Sequence, residues 1–324
     1  MNEIAPPRLG RALLRTGLAL ALFLAGCAIA LWLARGSDAA AAATLLSPLT
    51  LVACLALSSA NYLLRGLRWV VLGRAFGIAA PAGRQLLYFV AGFALTVTPG
   101  KVGEVVRLWL LHRDHGVSYT RSIPLLAADR VLDMAAICLL ALAGAALTSR
   151  YLLLTAVLTA ACAVLLLALS RARFLLQILD WAERRIRRAP GLFARAREVC
   201  AILPAIGRPG VLGVSLALSC IGWLAECLVL MLVLRELGST VGLGASVLAF
   251  CLAALAGAVS LLPGGLGAAD LSLLGLLRLI EVPEASAIVA TILVRVATLW
   301  FAVVLGVLAL PFALRRRAAP SVAG

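Results

Sequence analysis

The sequence predicts an all-α integral membrane protein, with about six full transmembrane helices plus two re-entrant hairpins, each broken by proline and glycine, in an inverted repeat. Composition is the first reason: 64% of the 324 residues are hydrophobic and 13% are charged, against about 45 to 50% and about 25% in soluble domains. The second is that the apolar residues form long runs, which favour helices over the alternating strands of a barrel. The third is the net charge of +15, which comes from short arginine clusters between those runs, as in helices oriented by a bilayer.

Eight apolar stretches divide the chain. Six are uninterrupted and long enough to be full spans: 14–34, 46–72, 121–147, 151–170, 210–234 and 286–313. The other two, 85–114 and 243–281, are each interrupted near the middle by a Pro-Gly pair. Their halves contain about 11 to 19 residues, or about 17 to 28 Å of helix, and most are too short to cross. We therefore expect each broken stretch to enter and leave the membrane on one side.

The arginine distribution indicates which side each loop faces. With both broken stretches folded back, 21 basic residues lie on the cytoplasmic side, nine of them in the loop 171–208, and three lie outside. Such an excess of positive charge inside is typical of membrane proteins. If 85–114 crossed instead, the basic loop 171–208 would face outwards. The count favours hairpins and predicts a multi-pass protein of a bacterial inner (plasma) membrane with both termini in the cytoplasm.

The loop 171–208 contains an amphipathic stretch. Apolar residues from Phe174 to Ile186 recur at helical spacing opposite several arginines. Such a helix binds the anionic inner surface of a membrane. A solvated connector fits the same pattern equally well.

The two broken stretches resemble each other in the charges that follow them. Pro99 is followed by an acidic residue and then by Arg130, inside the next span. Pro263 is followed by an acidic residue and, after almost the same interval along the chain, by Arg295, again inside the next span. This similarity predicts a repeat, and chance resemblance between two Pro-Gly breaks is the alternative.

The predicted topology relates the two halves by inversion across the membrane plane. Residues 1–150 form the first repeat, with the hairpin 85–114 entering from the cytoplasm. Residues 151–324 form the second, with the hairpin 243–281 entering from outside. Inverted repeats whose broken helices meet near the midplane are a recurring construction of secondary transporters.

Ten ionisable side chains fall at membrane depth. They are Lys101, Glu104, Arg107, Asp129, Arg130, Asp133, Glu226, Asp270, Arg278 and Arg295. An isolated charge there costs about 2.5 to 3.5 kcal/mol, so these groups must be paired, hydrated or bound. Lys101, Arg130 and Arg295 favour a functional role, since the first lies in a break and the other two occupy equivalent places. For Arg107, Asp133 and Arg278, mutual neutralisation between helices is an equal alternative.

Each break also supplies backbone donors. After Pro99 and Pro263 a helix restarts, and its first N–H groups have no partner within the helix. Glycines let an anion approach these groups, and the helix dipole favours it. The pattern predicts a site for a phosphate or sugar-phosphate head group, formed by Pro99, Gly100, Lys101, Gly103, Glu104, Arg107, Asp129, Arg130, Asp133, Pro263, Gly264, Gly265, Gly267, Asp270 and Arg295. A simple kink filled by a neighbouring helix or water is the alternative.

Other chemistry is not indicated by the sequence. The eight cysteines contain no C-x-x-C pair, and two histidines make a poor metal site. No catalytic motif is present, so we expect neither an enzyme nor a bound metal or cofactor. The placement of the arginines also argues against nucleic acid as a partner.

The motifs resemble those of a known family, the lysylphosphatidylglycerol synthase transmembrane family, also called flippase-like membrane proteins. The resemblance covers about residues 10 to 314 and rests on Pro99-Gly100-Lys101-Val102-Gly103-Glu104-Val105-Val106-Arg107, Asp129-Arg130-Val131-Leu132-Asp133, Pro263-Gly264-Gly265-Leu266-Gly267-Ala268-Ala269-Asp270 and Arg295. Asp129 replaces a Glu that is common in the family pattern, which also commonly has a Glu near Asp270; both changes keep the charge with a shorter reach. The soluble aminoacyl-transfer domain of the synthases is missing, so synthesis of lysyl lipid by this chain is not expected.

The resemblance implies a protein that moves a membrane lipid between leaflets, or one that assists enzymes of glycolipid, hopanoid or cell-envelope synthesis. In the first case a head group sits between Lys101, Arg107, Arg130 and Arg295, and protonation of a nearby acid couples the movement; the candidates are Glu104, Asp129 and Asp270. In the second case the loop 171–208 docks a lipid-synthesis enzyme. A membrane enzyme acting on a lipid-linked phosphate is a third hypothesis. The sequence identifies neither the lipid nor the oligomeric state.

Overall fold

The computed structural model describes residues 9–33, 47–98, 102–169, 171–186, 190–260 and 262–315. Within these ranges every regular element is a helix. The helices are α1 Leu9–Leu33, α2 Pro48–Ala75, α3 Ala82–Ala91, α4 Val102–His115, α5 Tyr119–Thr148, α6 Leu152–Leu169, α7 Ala172–Ile186, α8 Pro190–Ile202, α9 Pro209–Glu236, α10 Leu243–Val259, α11 Ala268–Leu279 and α12 Glu284–Leu314. Short 3₁₀ turns lie at Gly92–Leu95, Leu203–Gly207 and Pro263–Gly265, and α12 contains a π turn at Val296–Trp300.

Among the described residues, four helices are long and apolar enough to cross a membrane. These helices, α2, α5, α9 and α12, contain 28 to 31 residues, or more than about 40 Å of helix against a core of about 30 Å. They match the predicted spans 46–72, 121–147, 210–234 and 286–313, so the all-α membrane fold is confirmed at this level. Helices α1 and α6 cover the other two predicted spans, 14–34 and 151–170, whose crossing stays a prediction.

Helices α2 and α9 begin alike and pack against each other antiparallel. Each has proline in its first turn, where the missing N–H is not needed. The carboxylate of Glu236, at the end of α9, accepts hydrogen bonds from Ser47 N–H and Thr50 Oγ1 at the start of α2, both at 3.0 Å. Halfway along, Asn61 Nδ2 donates to Gly222 O at 2.8 Å. The start of one helix therefore lies beside the end of the other.

The two broken stretches form helical hairpins, α3–α4 and α10–α11, that open toward opposite ends of α5. At the start of α5, Arg121 donates to the Gly77 carbonyl at 3.4 Å, just before the first hairpin. Beyond the other end of α5, Arg150 donates to the Leu279 carbonyl at 3.5 Å, at the close of the second. The start of α10 also packs on the last turns of α5.

Small residues bring the two helices of each hairpin close together. A Cβ atom on Gly92 would lie 2.9 Å from the Gly103 carbonyl oxygen, and one on Gly257 would lie 2.7 Å from the Ala269 Cβ. Such distances exclude a larger side chain unless the helices separate. Gly103 and Ala269 each directly precede the acidic residue of their hairpin, so the close contact fixes the first turn of the second helix, in which that acid lies.

The long helix that follows each hairpin packs on the hairpin of the other half. In α5, a Cβ atom on Gly144 would lie 2.8 Å from the Gly244 carbonyl oxygen of α10. In α12, a Cβ atom on Gly306 would lie 2.6 Å from the Phe93 carbonyl carbon. The two halves of the chain are thus interlocked around a shared interface.

The basic segment 171–208 contains two helices, α7 and α8, rather than an irregular loop. Arg197 of α8 forms an ion pair with Asp180 of α7 at 2.8 Å. Phe174, Ile178 and Trp181 of α7 are exposed. The predicted amphipathic stretch is therefore helical, and its place on a membrane surface stays a prediction.

Candidate binding cavity between the two halves

A cavity of about 500 Å³ lies between the two halves. This volume falls in the range of small-ligand sites, roughly 300 to 1,000 Å³. Its walls come from α2, the first hairpin and α5 on one side, and from α9, the second hairpin and α12 on the other. Most of the lining is apolar, and the charged lining residues are Arg65, Glu104, Arg107, Arg130, Asp133, Glu226 and Arg295.

Arg68 of α2 connects three helices beside this cavity. Its side chain is completely buried. Nη1 donates to Asp133 Oδ1 at 2.7 Å and to Ser219 Oγ at 2.6 Å, and Nη2 pairs with Asp129. A buried charge is tolerated only when it is paired and hydrogen-bonded, and Arg68 has both kinds of partner.

Asp133 of α5 is the carboxylate on which this network converges. It accepts hydrogen bonds from Arg65 at 2.8 Å and from Trp223 Nε1 of α9 at 2.9 Å, besides that from Arg68. Arg130 also lies 3.1 Å from it, one helical turn away. Asp133 therefore holds α2 and α9 to α5.

The predicted acid and arginine meet in both halves. In the first half, Glu104 of α4 lies 3.5 Å from Arg130 of α5, which also pairs with Asp129 at 2.6 Å. In the second half, Asp270 of α11 pairs with Arg295 of α12. The two hairpins are thus each attached to the following long helix by the same kind of ion pair.

The second break is shaped by glycines. Gly264, Gly265 and Gly267 have φ angles of 61°, 67° and 82°, a region that glycine occupies without steric cost. Gly264 and Gly265 line the cavity. However, the Gly267 N–H donates to Asp270 Oδ2 at 2.8 Å, so an internal cap fills part of the helix N-terminus where an anion was expected. Pro263 begins the 3₁₀ turn ahead of these glycines.

In the first break, Pro99, Gly100 and Lys101 lie outside the described residues. The predicted contact between Lys101 and a head group therefore stays a prediction. Gly103, which follows the break, lines the cavity beside Glu104.

Arg107 of α4 lines the cavity and forms no ion pair with any carboxylate that the structure describes. Its side chain is 4% exposed, and Nε and Nη1 have no hydrogen-bond partner among the described residues. The guanidinium carbon lies 4.1 Å from the Phe89 ring centre and 5.2 Å from that of Phe93. The π faces of these two rings stabilise the cation. The expectation that a neighbouring acid neutralises Arg107 receives no support, and its free donors point to an anionic ligand.

Two arginines of α2 are buried in the network, which the sequence did not indicate. The 21 basic residues assigned to the cytoplasmic side include Arg65 and Arg68, but these are 8% and 0% exposed and lie in the network beside the cavity. They occur three residues apart inside the apolar run 46–72, a spacing that puts both on one helix face and could have indicated a buried pair. Arg278 lies 3.4 Å from Glu284, and both side chains are more than half exposed; its place at membrane depth stays a prediction.

No described group of three or more His, Cys, Asp or Glu side chains could hold a metal ion. The absence of a metal or cofactor stays a prediction.

The long apolar helices, the two interlocked hairpins and the cavity between them define a multi-pass helical membrane protein with a mostly apolar cavity that carries charged side chains. A family model described as the lysylphosphatidylglycerol synthase TM region matches residues 16–306. The chain belongs to this family, as its motifs predicted.

Similar proteins include archaeal membrane proteins. One match, to a UPF0104 membrane protein of Methanothermobacter thermautotrophicus, is 38% identical over 95 residues and covers 29% of this chain and 28% of that protein. Another match to a protein of the same name and organism is 26% identical over 277 residues and covers 76% of this chain and 80% of the relative.

Proposed function

We propose that this protein moves an anionic or glycosylated, lipid-linked envelope lipid between the leaflets of the inner (plasma) membrane, without a chemical step. Membership of a family of membrane regions associated with lipid synthesis supports a lipid-related role. The observation that carries the proposal is Arg107, a buried cation that lines the cavity and whose Nε and Nη1 have no hydrogen-bond partner among the described residues.

Arg107 differs from the other described arginines of the site. Arg65, Arg68, Arg130 and Arg295 each have a carboxylate within ion-pair distance. A phosphate brings several acceptor oxygens and forms short, strong bonds with a guanidinium. Arg107 is therefore the group that such a head group would engage first, while the acyl chains stay in lipid.

The arrangement of the halves supports alternating access. Hairpins that open toward opposite ends of α5 fit two re-entrant elements, one entering from each side. Antiparallel packing of α2 against α9 fits an inverted repeat of residues 1–150 and 151–324. In such proteins the two halves rock around a central site, which here is the cavity that both halves line.

A leaflet-resolved assay in proteoliposomes tests the proposal. The probes are a fluorescent phosphatidylglycerol, which is anionic, and the matched phosphatidylcholine, which has no net charge. We expect wild-type protein to accelerate exchange of the anionic probe, and Arg107→Gln to reduce that rate at least about tenfold, the equivalent of one charge-assisted bond. Arg74→Gln, an exposed arginine on α2, is the control and should keep the wild-type rate.

The possible results separate the site from the function. Equal rates for wild type and Arg107→Gln would reject Arg107 as the anchor. Failure of wild type to move either probe, with correct folding shown by thermal unfolding in detergent, would count against translocation of simple anionic lipids.

A second candidate role is that of a non-catalytic partner of a lipid-synthesis enzyme. The exposed apolar face of α7, with Trp181 69% exposed, is the observation that favours it. Trp181→Glu should then abolish capture of a co-expressed synthase while leaving lipid exchange unchanged. If Trp181→Glu changes neither capture of the synthase nor lipid exchange, α7 is not the docking surface.

A further inference from the structure

Glu226 of α9 is a buried acid that lines the cavity and has no direct partner within the described part of the chain. Its side chain is 7% exposed, and it forms neither a hydrogen bond nor an ion pair with any described residue. The other carboxylates of the network are all paired with arginine: Glu104, Asp129, Asp133 and Asp270. Glu226 is therefore the acid of the site that is available to a ligand.

The register of α2 and α9 explains why Glu226 lacks a partner. Glu226 follows Pro209, the first residue of α9, at the same spacing at which Arg65 follows Pro48, the first residue of α2. The two side chains therefore occupy equivalent positions in their helices. Arg65 has a carboxylate, Asp133, at 2.8 Å.

The second half offers no such group. Asp133 lies three residues after Arg130, and the residue three after Arg295 is Thr298. Tyr62 Oη donates to the Thr298 carbonyl, just as Trp223, which has the same place in α9 that Tyr62 has in α2, donates to Asp133. The equivalent residue is contacted in both halves, through the side-chain carboxylate of Asp133 and the backbone carbonyl of Thr298, and a neutral threonine replaces the charged residue. Arg65 therefore forms an ion pair with Asp133, whereas no described cation forms an ion pair with Glu226.

The formal charge of the network depends on this one acid. The described network contains five arginines, Arg65, Arg68, Arg107, Arg130 and Arg295, and five carboxylates, Glu104, Asp129, Asp133, Glu226 and Asp270. With Glu226 ionised, the formal charge is zero. With Glu226 protonated, it is +1, which favours an anion at Arg107.

We propose that Glu226 is a proton-binding site, and that an anionic head group and a proton enter the cavity together. This inference rests on the proposed function, because it specifies what accompanies the lipid. Glu104, Asp129 and Asp270, the acids that the sequence offered for coupling, are already held by arginines. An unpartnered acid can take up or release a proton without breaking an ion pair.

The charged and titratable groups around Glu226 are consistent with this role. Four groups interact with the Glu226 carboxylate electrostatically: Tyr62 and Arg65 of α2, Asp133 of α5 and Arg295 of α12. The neighbouring Cys227 thiol also interacts with Glu226, and it contacts Cys251 of α10. Arg65 and Arg295 attract a carboxylate at this place but are both engaged by other acids. An incoming anion at Arg107 adds negative charge to the same cavity, which strengthens proton binding at Glu226 by linkage.

Calorimetric titration tests the proposal. A short-chain phosphatidylglycerol is titrated into the full chain in detergent, across pH and in buffers of different ionisation enthalpy, so that proton uptake is measured directly. For wild type we expect uptake of up to about one proton per bound lipid, and an affinity that falls up to about tenfold per pH unit as the pH rises through the titration of Glu226.

Three variants test whether Glu226 is the residue that binds the linked proton. Glu226→Gln should bind the lipid with no linked proton and with an affinity independent of pH over this range. Glu226→Asp keeps an acid and should keep the proton linkage. Glu236→Gln removes an acid at the far end of the same helix, where it caps Ser47 and Thr50, and should behave as wild type.

The outcomes distinguish this inference from the proposed function. Proton uptake that persists in Glu226→Gln, or wild-type binding without proton uptake, would overturn the role of Glu226 while leaving an anion site in place. Absence of saturable binding by folded wild type at every pH would overturn both. Linkage in wild type and Glu226→Asp, and its loss in Glu226→Gln alone, would support the inference.

Discussion

Asn61 donates a hydrogen bond to the carbonyl of Gly222 at 2.8 Å, and the two residues lie at the same distance along the chain from the prolines that begin their helices. Two equivalent positions can contact each other in this way only near an axis that relates the two helices. Because α2 and α9 run antiparallel, that axis is perpendicular to both helices. An axis of this kind relates the two halves of an inverted repeat. The contact marks the centre of the interface around which the cavity is built.

The Asn61 contact should contribute measurably to stability. Asn61→Ala removes the side-chain hydrogen bond that joins α2 to the Gly222 carbonyl of α9, and we expect a loss of about 0.5 to 1.5 kcal/mol. Thermal unfolding in detergent measures it. Ser59→Ala is the matched control, because Ser59 is exposed and bonds only within its own helix. Equal midpoints for both variants would contradict a central role for this contact.

Arg68 should be essential for folding rather than for ligand contact. Arg68→Met removes the fully buried partner of Asp129 and Asp133, and breaking a buried network in this way costs about 3 to 5 kcal/mol. The double variant Arg68→Met with Asp129→Asn should recover part of the stability, since it removes an acid that has lost its buried partner while Arg65 and Arg130 keep Asp133. Arg74→Met, exposed on the same helix, should be neutral. The measurement is the unfolding midpoint in detergent, and a neutral effect of Arg68→Met would contradict the network.

The four long helices could be predicted from the sequence because a membrane-spanning helix requires a long uninterrupted run of apolar residues. The four long helices end one to three residues beyond those runs, since polar residues such as Arg74 continue a helix after the apolar segment ends. Helix α8, Pro190–Ile202, was not predicted, because its arginines and alanines lack a clear apolar face.

The site could be predicted only in part. The similar order of acid and arginine in the two halves indicated that Arg130 and Arg295 hold equivalent places, whereas their ion pairs with Glu104 and Asp270 come from the structure. The burial of Arg65 and Arg68 depends on which faces of α2, α5 and α9 meet, which is a property of the tertiary structure. The lack of a partner for Glu226 likewise follows from the contact between halves.

The orientation of the hairpins gives a labelling prediction. In a chain without its native cysteines, Ala79→Cys and Ser118→Cys flank the first hairpin and should react with an impermeant thiol reagent from the same side of the membrane. Thr240→Cys and Glu284→Cys flank the second and should react from the opposite side. All four positions are exposed. Reaction of positions 79 and 118 from different sides would show that α3 and α4 together cross the membrane.

The close packing inside the second hairpin should not tolerate a larger side chain. A Cβ atom on Gly257 already falls 2.7 Å from the Ala269 Cβ, so Gly257→Val must separate α10 from α11 and should cost about 1 to 3 kcal/mol or more. Gly275, in α11, has open space around it, and Gly275→Val supplies the control for helix propensity. Similar unfolding midpoints for the two variants would contradict the observed contact.

The two acid–arginine pairs should differ in their effect on stability but agree in their effect on transport. Asp270 holds Arg295 and also caps the Gly267 N–H, so Asp270→Asn loses an ion pair and weakens a cap, with an expected cost of about 1 to 2 kcal/mol. Glu104→Gln breaks only a 3.5 Å pair with Arg130, which keeps two aspartates, and should change stability little.

If both hairpins move against the long helices during transport, each of these variants should lower the exchange rate of the anionic probe in proteoliposomes by a similar factor, about tenfold. Arg278→Gln, whose partner Glu284 is exposed and outside the cavity, is the control for loss of an ion pair in the second half. A transport defect in proportion to the stability loss, large for Asp270→Asn and absent for Glu104→Gln, would mean that the pairs serve only to hold the fold together. Equal defects with unequal stability would instead tie both pairs to the movement of the halves.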